Sequence, residues 1–219
     1  MADNASTSPA TSSRPTPATP SLIGDGASVT RFAPCATWVL RIAPDTASDV
    51  ASVAGFELKG KLNTTTASAG TNGREAYRIG PDEWWLMAAT DDKADVARAL
   101  GTGLGNRVHS LVDVSDRQVT FRIDGPASRN LLATGMPLDL HDSVFPAGSC
   151  TRTLFAKAEI VIARPAVAPS FDITVNRSFA DYLFGLWKDA IPMIRPPGQT
   201  SHRDGTATLG HSLRSASSS

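Results

Sequence analysis

Three stretches of this chain alternate apolar and polar residues with a period of two, and that period constrains the fold more than any other feature. Val119, Phe121 and Ile123 interleave with Gln118, Thr120 and Arg122. Phe171, Ile173 and Val175 interleave with Asp172, Thr174 and Asn176, and Trp38, Leu40 and Ile42 with Thr37, Val39 and Arg41. Successive side chains of an extended strand point to opposite faces, so each stretch predicts a strand with one face in a core. Residues 75–79 and 84–88 predict a hairpin about Gly80-Pro81-Asp82-Glu83, where the proline pre-sets the turn. Residues 107–114, 151–155 and 159–163 complete the predicted strands.

Helical signals lie between the strands. Residues 46–54 carry the capping-box spacing Thr46-x-x-Asp49, with Val50, Val53 and Ala54 on one face and Gly55 as a stop. Residues 91–100 predict a helix capped by Thr90, with acids in its first turn. Pro126 opens and Gly135 closes a helix holding Leu131 and Leu132. Ser178-x-x-Asp181 predicts the cap of a last helix, whose face carries Phe179, Leu183, Leu186 and Ala190. Residues 63–73 and 136–149 read as loops. The element order runs twice through β-α-β-β-α. It predicts an α+β fold of two ferredoxin-like βαββα units packed as one body, at about 30–116 and 117–195.

Both ends fall outside that pattern. Sixteen of the first 20 residues are Ser, Thr, Pro or Ala. So polar a segment cannot bury enough apolar surface to offset its ordering entropy, and disordered tails are predicted at 1–29 and 196–219. The 21 Lys and Arg balance 21 Asp and Glu, which argues against a nucleic-acid partner. No apolar run approaches the roughly 20 residues that span a bilayer, so no membrane association is expected. The start lacks the basic and apolar regions of a secretory signal, and Cys35 and Cys150 stand isolated. A cytoplasmic location is therefore expected.

Chemical motifs are sparse. Gly101-Thr-Gly103-Leu-Gly105-Asn106 imitates a dinucleotide loop, but its sixth position is Asn106 and it follows a predicted helix, so it reads as a connecting loop. His109, His141, His202 and His211 show no metal-ligand spacing. Cys150 with His141 reads as a buried thiol and a loop imidazole rather than a nucleophile and base. Asp139 and Asp142 flank His141, where an acid could steady a cationic intermediate, although such residues more often form Asx turns. Arg152 and Lys157 could hold an anion, but read better as a solvated strand face. No catalytic, cofactor-binding or metal residue is assigned. The strand Trp84-Trp85-Leu86-Met87 is apolar on both faces, so it is either covered twice or meets a partner. Trp85 and Met87 are the candidate subunit contact.

Several blocks in order resemble the gamma subunit of heterotetrameric sarcosine oxidase. They are Tyr77-Arg-Ile-Gly-Pro-Asp-Glu-Trp-Trp-Leu-Met87, Asp113-Val-Ser-Asp-Arg-Gln118, Ile123-Asp-Gly-Pro126 and Leu131-Leu132. Gly135-Met-Pro-Leu-Asp-Leu140, Phe145-Pro-Ala-Gly148, Cys150-Thr-Arg-Thr153, Lys157-Ala-Glu159 and Arg177-Ser-Phe-Ala-Asp-Tyr-Leu183 continue the match. The resemblance implies a fold like the folate-binding part of the glycine-cleavage aminomethyltransferase. It also implies an accessory chain of an enzyme that oxidatively demethylates sarcosine to glycine, forming hydrogen peroxide, and either formaldehyde or, with tetrahydrofolate, methylenetetrahydrofolate. It implies alpha, beta and delta subunits as partners, with FAD, FMN, NAD, zinc and tetrahydrofolate in those partners and no cofactor in this chain. Two alternatives stand beside it. One is a stand-alone folate-dependent aminomethyltransferase-like protein with Asp139 as the acid. The other is a gamma-like subunit of another N-methyl amino acid dehydrogenase.

Overall fold

A computed structural model describes residues 17–67, 73–165 and 170–196. In chain order the strands are β1 (Pro17–Ile23), β2 (Ser28–Phe32), β3 (Ala36–Ile42), β4 (Ser52–Val53), β5 (Phe56–Glu57), β6 (Thr64–Ala67), β7 (Glu75–Arg78) and β8 (Glu83–Ala88). They continue as β9 (His109–Asp113), β10 (Gln118–Asp124), β11 (Cys150–Phe155), β12 (Ala158–Ala163) and β13 (Phe171–Asn176). The helices are α1 (Pro44–Val50), α2 (Lys93–Leu104), α3 (Ser128–Ala133) and α4 (Arg177–Ala190). The fold is mixed α+β, and its strands form two large antiparallel sheets. One runs β6-β7-β8-β3-β9, and the other β11-β12-β13-β10-β2-β1.

Alternation decides which residues each face presents. The outer face of the five-stranded sheet carries Trp38, Leu40, Trp84 and Leu86, packed against Ala47 of α1 and Val96, Leu100 and Leu104 of α2. The outer face of the six-stranded sheet carries Phe121, Ile123, Ile160, Ile162, Phe171 and Ile173. It is covered by Leu131 and Leu132 of α3 and by Ala180, Leu183 and Trp187 of α4. Trp187 fills the centre, edge-on to Phe121 at 5.2 Å and to Phe155 at 5.6 Å. The inner faces meet through Tyr77, Trp85, Cys150, Val161 and Ala163. The layers thus stack helices, sheet, sheet, helices, and a bridge between Thr64 and Ser149 ties β6 to the neighbourhood of β11.

The two sheets share a strand order, with one difference that overturns part of the predicted N-terminal tail. In the five-stranded sheet, β9 follows α2 and pairs beside β3. Among the described residues no such strand follows α4, so without another segment one edge of β10 would lie bare. β2 fills that place, pairing Val29 with Ile123 and Arg31 with Phe121, and β1 pairs onto β2. Val29 is fully buried, so the ordered body starts before residue 30. Composition alone missed this, because the segment gains its buried surface only against β10. The remainder of the two predicted tails, residues 1–16 and 197–219, lies outside the described residues.

Several helix boundaries also shift. α1 starts at Pro44 rather than Thr46, and residues 52–57 fold into the β4–β5 hairpin, whose turn holds Ala54 and Gly55 at φ of 48° and 77°. Within the predicted loop at 63–73, residues 64–67 form β6. Thr90 donates its hydroxyl to the Pro34 carbonyl at 2.6 Å instead of capping, and α2 runs on through Gly101 and Gly103 to Leu104. Gly103 permits that path: a Cβ there would stand 2.6 Å from the Val53 Cγ2 of the hairpin. The Gly101–Gly105 segment is therefore mostly helix, not a connecting loop. Helix α4 starts at Arg177, ahead of Ser178, and has no side-chain cap.

Burial of Trp187 among aromatic neighbours sets an expectation for stability. Trp187→Ala removes the largest side chain of the α4 face, and loss of about 3–5 kcal/mol is expected in urea unfolding. A loss below about 1 kcal/mol would contradict the packing described here.

Candidate functional site

The layer between the sheets is unusual because alternation sends polar residues into it. From the six-stranded sheet come Thr120, Arg122, Asp172 and Thr174, and from the other Thr37, Arg41, Glu83 and Tyr77. Charges taken out of water must be paired to remain ionised. Arg122 donates from Nε and Nη2 to the two oxygens of Asp172 at 2.9 and 3.2 Å, a bidentate fork. Its guanidinium also lies 4.8 Å from the Phe32 ring centre. The Thr120 and Thr174 hydroxyls pair at 2.9 Å, and the Gln118 amide donates to Asn176 at 3.1 Å.

Glu83 links the two sheets. Its side chain is nearly buried, and Oε1 accepts from Arg152 Nη2 of β11 at 2.6 Å and from Trp85 Nε1 at 3.2 Å. Arg41 of β3 adds a longer contact to Oε2 at 3.4 Å. Arg152 belongs to the opposite sheet, so this carboxylate is a cross-link between layers.

Where β2 ends, the sheets part. Residues 33–35 lead the chain across to β3, and a cleft of about 240 Å³ opens beside them, lined by Phe32, Cys35, Thr37, Ser115, Gln118 and Thr120 among others. It adjoins a smaller pocket of about 40 Å³ beneath Tyr77, Met87 and Asp172. The cleft wall is braced from outside. Lys93 Nζ meets Asp113 Oδ2 at 2.8 Å, Ser115 Oγ donates to Asp113 Oδ1 at 2.6 Å, and the Thr37 amide donates to Ser115 Oγ at 3.0 Å. Burial pushes the Asp113 carboxyl up, but the hydrogen bonds from Lys93 and Ser115 outweigh it and hold the group below its ordinary range.

The candidate residues from the sequence do not converge. Trp85 is 6% exposed and lies in the inter-sheet layer, so it is a core residue of this chain and not a surface contact. Met87 is half-buried and lines the smaller pocket. Cys150 is fully buried between the sheets, while His141 is exposed and engaged with Ser143 at 2.8 Å, so the two form no pair. Asp139 is exposed and accepts from the His141 amide at 2.8 Å, an Asx turn. Its neighbour Leu140 packs into the α3–α4 core, on the face of the sheet opposite the cleft. Asp142 binds Arg164 at 2.6 Å and also Arg129, and the hydrogen bond from Arg164 lowers its carboxyl below the ordinary range. Arg152 is taken up by Glu83 and Glu159, and Lys157 is exposed in the β11–β12 turn. Among the described residues no three His, Cys, Asp or Glu side chains gather as a metal site. The Arg122–Asp172 fork and the Glu83 cross-link escaped the sequence reading. The first had a signal: opposite charges on the polar faces of two alternating strands. Glu83 had none, since it read as a turn residue.

Comparison with known proteins places this architecture. The sarcosine oxidase, gamma subunit family matches residues 41–192. The sarcosine oxidase subunit gamma of Corynebacterium sp. (strain U-96) is 27% identical over 111 residues, or 51% of this chain and 53% of that protein. The match thus spans about half the length of that relative. Among solved structures, a chain of the heterotetrameric sarcosine oxidase from Corynebacterium sp. U-96, in complex with pyrrole 2-carboxylate, superposes with a TM-score of 0.65 at 19% identity. That superposition covers 82% of this chain and 87% of the other. The glycine cleavage system aminomethyltransferase T from Bartonella henselae gives 0.58 at 13% identity, over 75% of this chain and 46% of its own. At such identities the likeness to the two structures is one of fold.

Two outcomes test the site geometry. Burial pushes the Cys150 thiol up to about 12, so iodoacetamide at pH 8 should label Cys35 while Cys150 stays unlabelled until the chain is unfolded. Rapid native labelling of Cys150, read by peptide mass spectrometry, would contradict the sheet packing. Because the folded Asp113 carboxyl sits below its unfolded value of about 3.9, its contribution is present above that pH and fades as pH falls further. Asp113→Asn should therefore lower stability at pH 7 and flatten the loss of stability below about pH 4. An unchanged acid limb in the variant would contradict the assignment.

Proposed function

Because the chain belongs to the sarcosine oxidase gamma subunit family, we propose that it is the accessory, non-catalytic gamma subunit of a heterotetrameric sarcosine oxidase. The family match over residues 41–192 carries this reading. The geometry supports it: the buried charges Glu83 and Asp172 are held by Arg152 and Arg122 in contacts that fasten the body together. In this reading the alpha, beta and delta subunits hold FAD, FMN, NAD, zinc and tetrahydrofolate. The assembled enzyme demethylates sarcosine to glycine in the cytoplasm, releasing hydrogen peroxide and passing the one-carbon unit to folate or to water as formaldehyde. Among the described residues no helix is long and apolar enough to cross a membrane.

The same reading covers the architecture. Strands β9-β3-β8-β7 and β2-β10-β13-β12 repeat one order, which supports two ferredoxin-like units, the second borrowing β2 from the N-terminal side. Met87 remains the candidate subunit contact, at the pocket where the inter-sheet layer opens. The stand-alone aminomethyltransferase reading draws only on the shared fold. It needs Asp139 as an acid, and that carboxylate is spent on an exposed turn.

Co-expression tests the proposal. With the large subunits of the same enzyme, this chain should co-purify in a fixed ratio, and omitting it should lower sarcosine-dependent peroxide production at least tenfold. Expressed alone it should be colourless and inactive. Full assembly, flavin loading and activity without it would overturn the reading.

A further inference from the structure

We propose that the cleft beside the end of β2 binds a small organic carboxylate. The proposal rests on residues of this chain and holds whether or not the subunit reading does. The chain as a whole balances 21 cationic and 21 anionic side chains, so a local excess of one sign is not a reflection of composition. The cleft has such an excess: Arg31 and Arg177 line it, and no carboxylate does. Six other arginines of the described residues pair with carboxylates, namely Arg41, Arg98, Arg122, Arg129, Arg152 and Arg164. Among the described residues neither Arg31 nor Arg177 has an ion pair or a side-chain hydrogen bond. Arg31 and Arg177 border one cavity whose lining holds no counter-charge, and a pair of guanidinium groups matches a planar oxyanion.

The remaining lining suits the same ligand. Thr37, Ser115, Thr120 and Gln118 make the wall polar, and pairing of β10 with β2 stops at Phe121, so residues 118–120 turn a strand edge toward the cavity. Phe32, Ala33, Pro34 and Val119 provide apolar wall for a carbon skeleton. The volume of about 240 Å³ lies below the usual span of drug-sized sites, so the ligand is small.

Calorimetric titration of the full-length chain with succinate tests this, with succinamide as the neutral isostere and inorganic phosphate as a second oxyanion. Saturable succinate binding is expected, at least tenfold tighter than succinamide and tighter than phosphate. Arg31→Gln and Arg177→Gln should each weaken it at least tenfold with unchanged Tm, because among the described residues neither side chain has an ion pair or side-chain hydrogen bond to lose. Should either lose its fold, Arg31→Lys and Arg177→Lys keep the charge and lose only the fork, and weaker binding is again expected. Absence of saturable binding, equal binding of succinamide, tighter binding of phosphate, or full affinity in the double Gln variant would each overturn the proposal. So would loss of succinate binding in the assembled complex together with impaired assembly of the Gln variants. That pair of results would give the cleft to an acidic side chain of a partner subunit.

Discussion

The body depends on how two antiparallel sheets meet face to face. Each sheet has a helix-covered outer face that is nearly all hydrocarbon, and an inner face that mixes Val161, Ala163 and Tyr77 with Arg122, Asp172 and Glu83. A purely apolar interlayer would allow the sheets to slide. The Glu83 carboxylate, reached by Arg152 from across the layer and by Trp85 from its own strand, fixes one relative placement. Buried ion pairs contribute little net stability against hydrophobic replacements, but breaking one partner is costly, so such contacts select geometry more than they add free energy.

That geometry leaves the cleft where it does. β2 ends at Phe32, because the chain must cross to β3 in the other sheet, and the crossing segment cannot cover Gln118–Thr120 of β10. Lys93, Asp113 and Ser115 brace the far wall through the Thr37 amide.

Much of the frame was legible in the chain. The strands at 118–124, 171–176 and 36–42 follow from alternation, and so does the apolar face that each turns to a core. Helix starts were less so. Thr90, Thr46 and Ser178 all look like caps, yet none of the helices begins on a side-chain cap: the Thr90 hydroxyl goes to the Pro34 carbonyl, and α1 and α4 start ahead of Thr46 and Ser178. The strand Trp84–Met87 posed the sharpest ambiguity. Its two apolar faces were consistent with a partner on one side, and the second sheet of the same chain occupies that side at Trp85.

Residue order along the chain was enough for β3 and for β7 to β13, for the α+β class and for the absence of a recognisable cofactor motif, because periodicity and motif spacing are local properties. It also carried the family resemblance, block by block. Tertiary structure alone decided that β2 completes the sheet of β10, that Arg152 finds Glu83 69 residues away, and that Arg31 and Arg177 border one cleft. Those outcomes depend on which faces of distant segments come together, and no spacing along the chain encodes that.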